Sequence, residues 1–290
     1  MRVHKVILFF LYSLGFAFAA AVSVKGFDYY ILPLTERPHS ELHRAFKPGG
    51  EWGHGLGILG SSMLLLLFLY SARKRNLLGL RFWKIRYWLN FHIFLGIMGP
   101  VFVTLHTALK FGGFVSVSYF SMMAVMLSGF VGRYLYVQIP RALSGDKLSM
   151  KQMEERNEQL TRLLVEKYRV NPKAISKLHI LAGVHEGKEL TGVAAIFTII
   201  KNDLTRPSKF RGLRKKLLLQ NGDLPPARIH DLFQLINQKA LLIRKMALLS
   251  SIQPLFHYWH VAHKPFAYVM IIIMVLHVGI TILFGFRWIF

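Results

Sequence analysis

The sequence predicts an all-α integral membrane bundle of about five transmembrane helices with a helical cytoplasmic insertion. Three observations predict it. Apolar residues are gathered into runs close to the length that crosses a bilayer. Basic residues are concentrated in alternate connections between those runs. One connection is long, basic and amphipathic, and therefore too structured to be a simple loop. Of the 290 residues 53% are hydrophobic, and the formal net charge is +23. Ordinary soluble domains are about 45–50% apolar, and here the excess sits in runs. A basic chain with long apolar runs faces anionic lipid head groups, and nucleic acid is not an expected partner. Cysteine is absent. That excludes iron–sulfur clusters, thiolate-ligated haem, disulfides and covalent C-x-x-C-H haem attachment within this chain.

Residues 1–138 hold the first four spans. Val6 to Val24 follows a short basic start, Arg2 and Lys5; it reads as a membrane helix, although Ala17-Phe18-Ala19 resembles a signal cleavage site. A polar stretch with Pro33, Pro38, Pro48 and Gly49-Gly50 follows. The second span is expected from Gly55 to Tyr70 and stops at Arg73-Lys74-Arg75. The third runs from Tyr87 to Leu109, and the fourth from Val115 to Val137 after the turn at Lys110-Phe111-Gly112-Gly113. About 20 helical residues cross the hydrocarbon core. Residues 261–290 carry the fifth span, Val261 to Phe286. The basic connections between spans two and three (Arg73, Lys74, Arg75, Arg81, Lys84, Arg86) and after span four belong in the cytoplasm. The N-terminus is expected to join them, and the expected location is a bacterial-type inner (plasma) membrane crossed several times.

Residues 139–260 form the basic cytoplasmic segment, too long for a plain connection. Amphipathic helices are expected from Leu148 to Tyr168 and from Pro226 to Ser250, with a Pro-started segment at Asn171-Pro172. Val193 to Ile200 is apolar but too short to span. The cluster Arg211, Arg214, Lys215, Lys216 suits inner-leaflet lipid or an acidic redox partner.

The chemistry resides in four histidines. His92 and His106 lie fourteen residues apart in span three, and His263 and His277 fourteen apart in span five. Fourteen residues make almost four helical turns, so both rings of each helix face one way, about 21 Å apart along the axis. Spans three and five run parallel, so His92 is level with His263 on the cytoplasmic side and His106 with His277 on the outer side. An imidazole in lipid is costly unless it is used. Two matched pairs at two depths are the geometry for two bis-histidyl b haems. Zinc would need further ligands at each level. Gly96 and Gly99, between the two ligands of span three, leave room either for a macrocycle or for a neighbouring helix. Arg133, at the cytoplasmic end of span four, suits a propionate of the inner haem or an interfacial anchor, as do Lys84 and Arg86. Lys110 and Arg287 stand likewise at the outer one. His54 with Glu51 is the candidate for proton exchange with a quinone at the outer face, or a hydrated interfacial histidine. His257 and His260 are alternatives to His263. Gly55, Gly57 and Gly60 spell G-x-G-x-x-G, but no strand precedes them and nucleotide binding is not expected.

On the quartet His92, His106, His263 and His277, the chain resembles the transmembrane domain of ferric reductases and NADPH oxidases. It also resembles the di-haem core of quinol-oxidising cytochrome b. The likeness covers Trp83 to Val137 and His263 to Phe286. It implies two haem b groups and an electron-transfer component of an oxidoreductase complex. The chain departs from the oxidases in lacking a C-terminal flavin and nicotinamide domain. Electrons would therefore be exchanged with a quinone or with redox partner subunits carrying flavin, iron–sulfur clusters or several haems. Two other functions share the quartet: a transmembrane ferric or oxygen reductase fed by a soluble reductase, and a His-based metal or solute transporter.

Overall fold

The structure is a computed structural model describing residues 2–79, 82–139, 149–171 and 225–285, together with 175, 197, 200, 201, 204, 205, 208, 211 and 212. It is all-α. Five helical stretches are long and apolar enough to cross a membrane: Val3–Lys25, His43–Lys74, Ile85–His106, Val115–Gln138 and Ile252–Leu283. The helices are α1 (Arg2–Lys25), α2 (Phe27–Ile31), α3 (His43–Phe46), α4 (Glu51–Leu66), α5 (Phe68–Lys74), α6 (Ile85–His106), α7 (Val115–Gln138), α8 (Met150–Arg162) and α9 (Pro226–Leu283). Large apolar side chains point outward along the spans, with Phe9 67%, Leu14 71% and Ile272 60% exposed. Water would penalise such surfaces and hydrocarbon does not.

Two compact units make up the chain. The first comprises residues 1–131 and 259–290, and the second residues 132–258. In the first, α6 is the most enclosed span, with 39% of its apolar window buried against 11% for α1. One side of α6 lies along α4, where Gly60 and Gly99 allow close approach. A Cβ on Gly60 would come within 3.1 Å of the Gly99 carbonyl oxygen. Another side meets α1 through Tyr12 and Phe94, stacked edge to face at 5.0 Å. The α7 helix and the membrane part of α9 join through Met122, Met270 and Met274 around Leu64 of α4. Ser118 of α7 also donates to the Met270 carbonyl of α9 at 2.8 Å.

Several boundaries differ from those expected. The second span begins at Glu51 rather than Gly55 and breaks at Leu67, between α4 and α5. The third ends at His106 rather than Leu109, because Ala108 and Leu109 take positive φ values of 48° and 58° and end the helix. The polar stretch before α4 is packed. Arg37 is buried there, donating to the carbonyls of Leu32 (3.0 Å), Tyr30 (2.8 Å) and Ala108 and lying over the Tyr29 ring. It thus ties this cap to the end of α6. The amphipathic helix from Pro226 and the fifth span are one continuous helix, α9. Helical periodicity read both halves correctly, but Pro254 between them does not end the helix.

In the second unit, α8 starts at a capping box, with Ser149 accepting from Gln152 N and Gln152 reaching back to Ser149 N. It ends in a π turn, Leu163–Lys167. Leu164, Ile175, Leu232, Ile236, Ala240 and Ile243 form the core against α9. Lys239 is 3% exposed and donates to Asn157 Oδ1 at 2.7 Å and Thr161 Oγ1 at 2.6 Å. Arg81, Pro172, Arg214, Lys215, Lys216, Arg287 and most of Val193 to Ile200 lie outside the described residues.

Candidate functional site

Both pairs of histidines fall in the first unit, on α6 and the membrane part of α9. At one level His106 and His277 face each other with ring centroids 6.4 Å apart and planes inclined by 57°. At the other, His92 and His263 are close enough to interact electrostatically. The fourteen-residue spacing therefore meets its partner in register on both helices.

Each of three rings is held through Nδ1. His106 Nδ1 bonds the Gly53 carbonyl of α4 at 2.8 Å. His92 Nδ1 bonds the Leu67 carbonyl at 3.2 Å, where α4 gives way to α5. His263 Nδ1 meets Ser128 Oγ of α7 at 2.7 Å. A carbonyl only accepts, so Nδ1 of His92 and of His106 carries the proton and Nε2 carries the lone pair. A buried histidine serving only as a structural donor would use the same bond. Two of the four are fixed in this way, one at each level, so an Nε2 lone pair is left on α6 at two depths of the bundle.

Gly57 of α4 completes the seat of His106. A Cβ there would stand 2.6 Å from His106 Nδ1 and 2.8 Å from Cε1. Trp259, one turn before His263, donates from Nε1 to the Ser128 carbonyl at 2.7 Å and lies 4.8 Å from the His263 ring. Tyr70 lies 5.1 Å from the His92 ring. Among the described residues no group of three or more His, Asp or Glu converges on one point. The histidines come together two at a time.

The remaining predicted residues divide. Gly96 meets only the tip of Leu67, 3.8 Å from its Cβ direction, whereas Gly99 is committed to the contact with α4 through Leu64 and Gly60. His54, in α4, interacts electrostatically with His106 and His277, while Glu51 sits in the first turn of the same helix. Arg133 belongs to the second unit, exposed, with its guanidinium 5.7 Å over the Tyr136 ring. Arg86 lies over its neighbour Tyr87, and Lys84 is the residue before α6. His257 is exposed and belongs to the second unit; His260 stacks on Trp259, its ring 4.5 Å away. Of the three alternatives, His263 is the one held by Ser128.

Sequence reasoning passed over Gly53, Leu67, Ser128 and Trp259, and weighed Gly57 only as part of a nucleotide-type glycine pattern. A signal for the two glycines was present. Gly53, Gly57 and Gly60 recur at i, i+4 and i+7, one face of a helix; Gly57 and Gly60 receive α6 at His106, Val103 and Gly99, while Gly53 closes on the Lys47 carbonyl. Comparison with protein-family models, curated proteins and solved structures gave no match.

Proposed function

We propose that the chain is a membrane-anchored di-haem b-type cytochrome subunit. In this reading it passes electrons across the bilayer between a quinone or a redox partner subunit and an acceptor. One observation carries the reading: His106 and His277 face each other across two helices with ring centroids 6.4 Å apart, close enough that the two imidazoles would hold one iron between them. The Nδ1 bonds to Gly53 and Leu67 are the outer-shell partners that hold a ligating imidazole in the right tautomer.

His106 and His277 would hold one haem, and His92 and His263 the other. Haem bound at each level would supply one-electron redox chemistry. The protein's own residues orient the imidazoles, keep Nε2 unprotonated and exclude water with the apolar walls of α4, α6, α7 and α9. His54, which interacts electrostatically with His106 and His277, would with Glu51 exchange protons with a quinone beside the outer pair. The basic content of the second unit suits docking on anionic lipid or on an acidic redox partner. By the positive-inside rule that unit and the N-terminus would lie on the cytoplasmic side of a plasma membrane.

Reduced-minus-oxidised spectra of the purified full-length chain test this proposal. The expected result is a b-type band that falls by about half in His106→Ala and by about half in His92→Ala. A colourless preparation from haem-replete cells, with solute uptake into vesicles, would reject it in favour of a transporter.

A further inference from the structure

The inner pair has an anchor of a kind its partners lack. His92 and His106 lean on backbone carbonyls, which no substitution removes. His263 leans on a side chain, Ser128 Oγ, at 2.7 Å. That hydroxyl has one hydrogen, and the Val125 carbonyl stands 2.9 Å away to receive it. With its hydrogen committed within α7, the oxygen presents lone pairs to the imidazole. Ser128 is held from its other end as well, because Trp259 Nε1 donates to its backbone carbonyl at 2.7 Å. Trp259 and His263 are four residues apart on α9, hence on one face. The two side chains grip the two ends of one serine. The oxygen is thereby fixed in position and in polarity.

We propose that Ser128 is a positioning residue for His263, fixing its tautomer and setting the reduction potential of the inner haem separately from the outer. This rests on the di-haem reading. An Nδ1–H that donates strongly makes Nε2 a better electron donor, which favours the oxidised metal and lowers its potential. Removing the acceptor weakens that donation at one site only. Ser128→Thr keeps a hydroxyl able to bond the Val125 carbonyl, so it preserves the arrangement.

Redox titration of the purified full-length protein by its visible bands provides the test. In Ser128→Ala, the reduction equilibrium of one haem should shift toward the reduced form by about three- to tenfold. Tenfold corresponds to about 59 mV for a one-electron couple. The other haem should not move, and Ser128→Thr should titrate as wild type. The affected haem should be the one lost in His92→Ala. If Ser128→Ala instead loses that haem while Ser128→Thr keeps both at wild-type potentials, the hydroxyl is still the agent. Unmoved potentials in Ser128→Ala, equal shifts of both haems, or a Ser128→Thr variant behaving as Ser128→Ala would overturn the assignment and leave the di-haem reading standing. A wild-type protein without haem would overturn both.

Discussion

Replacing Gly57 by alanine is the sharpest probe of the outer pair. The added Cβ would lie 2.6 Å from His106 Nδ1, 2.8 Å from Cε1 and 3.0 Å from Cγ, closer than real carbon atoms approach. The ring must swing away, and the 2.8 Å bond to the Gly53 carbonyl goes with it. Losing that bond costs about 1 kcal/mol, and overpacking costs about 1–3 kcal/mol. Alanine regains about 1 kcal/mol of helix propensity over glycine. The balance is about 1–3 kcal/mol against the seated ring, or about 5- to 150-fold in affinity for whatever His106 holds. Haem-to-protein ratio and redox spectra of purified Gly57→Ala are the assay. The outer haem should be depleted and the inner retained, while Gly279→Ala, whose Cβ meets open space, should match wild type. Both haems retained at wild-type affinity would refute the seating argument, and so would equal loss of the two.

Arg37→Met should leave three carbonyls without their donor and cost about 2–4 kcal/mol; faster tryptic cleavage between residues 26 and 50 is the readout, with unchanged cleavage as the contrary result. The Tyr30 hydroxyl is buried without a partner, and desolvation pushes its phenol up to about 12. Tyr30→Phe should therefore be neutral or stabilising in thermal melts and remove a phenol that titrates at about 12. Tyr29→Phe should cost about 1 kcal/mol, because Tyr29 bonds His43 Nδ1 at 3.0 Å. Burial of Lys239 lowers its ammonium from the ordinary lysine value. Between the lowered value and about 10.4 the unfolded chain holds more protons, so stability rises with pH across that window. Lys239→Met should flatten this rise in melts of the full chain between pH 8 and pH 10, and an unchanged slope would rule out Lys239 as its source.

What the sequence made legible follows from how local each signal is. Apolar runs of about twenty residues identify spans, and the interval from His92 to His106 is set by helix geometry alone; the interval from His263 to His277 repeats it. The rings of His106 and His277 meet, and His92 lies within electrostatic reach of His263. Helix ends were less legible. The break at Leu67 carries no proline or glycine, and the stop after His106 depends on the backbone of Ala108 and Leu109. Continuity of α9 was hidden because Pro254, a usual breaker, stands where the amphipathic pattern gives way to the mainly apolar one. The anchors were hidden for a different reason. Carbonyls of Gly53 and Leu67 have no residue identity to read, and Ser128 becomes meaningful only when α7 is laid beside α9. The tie between Arg37 and the Ala108 carbonyl spans 71 residues and was equally invisible.

Low-temperature electron paramagnetic resonance of the oxidised, purified chain tests the central claim most directly. Two low-spin ferric signals of the two-imidazole type are predicted, one lost in His277→Ala and the other in His263→Ala. A high-spin signal, a single haem indifferent to these substitutions, or no haem signal at all would contradict the pairing of the four histidines about iron.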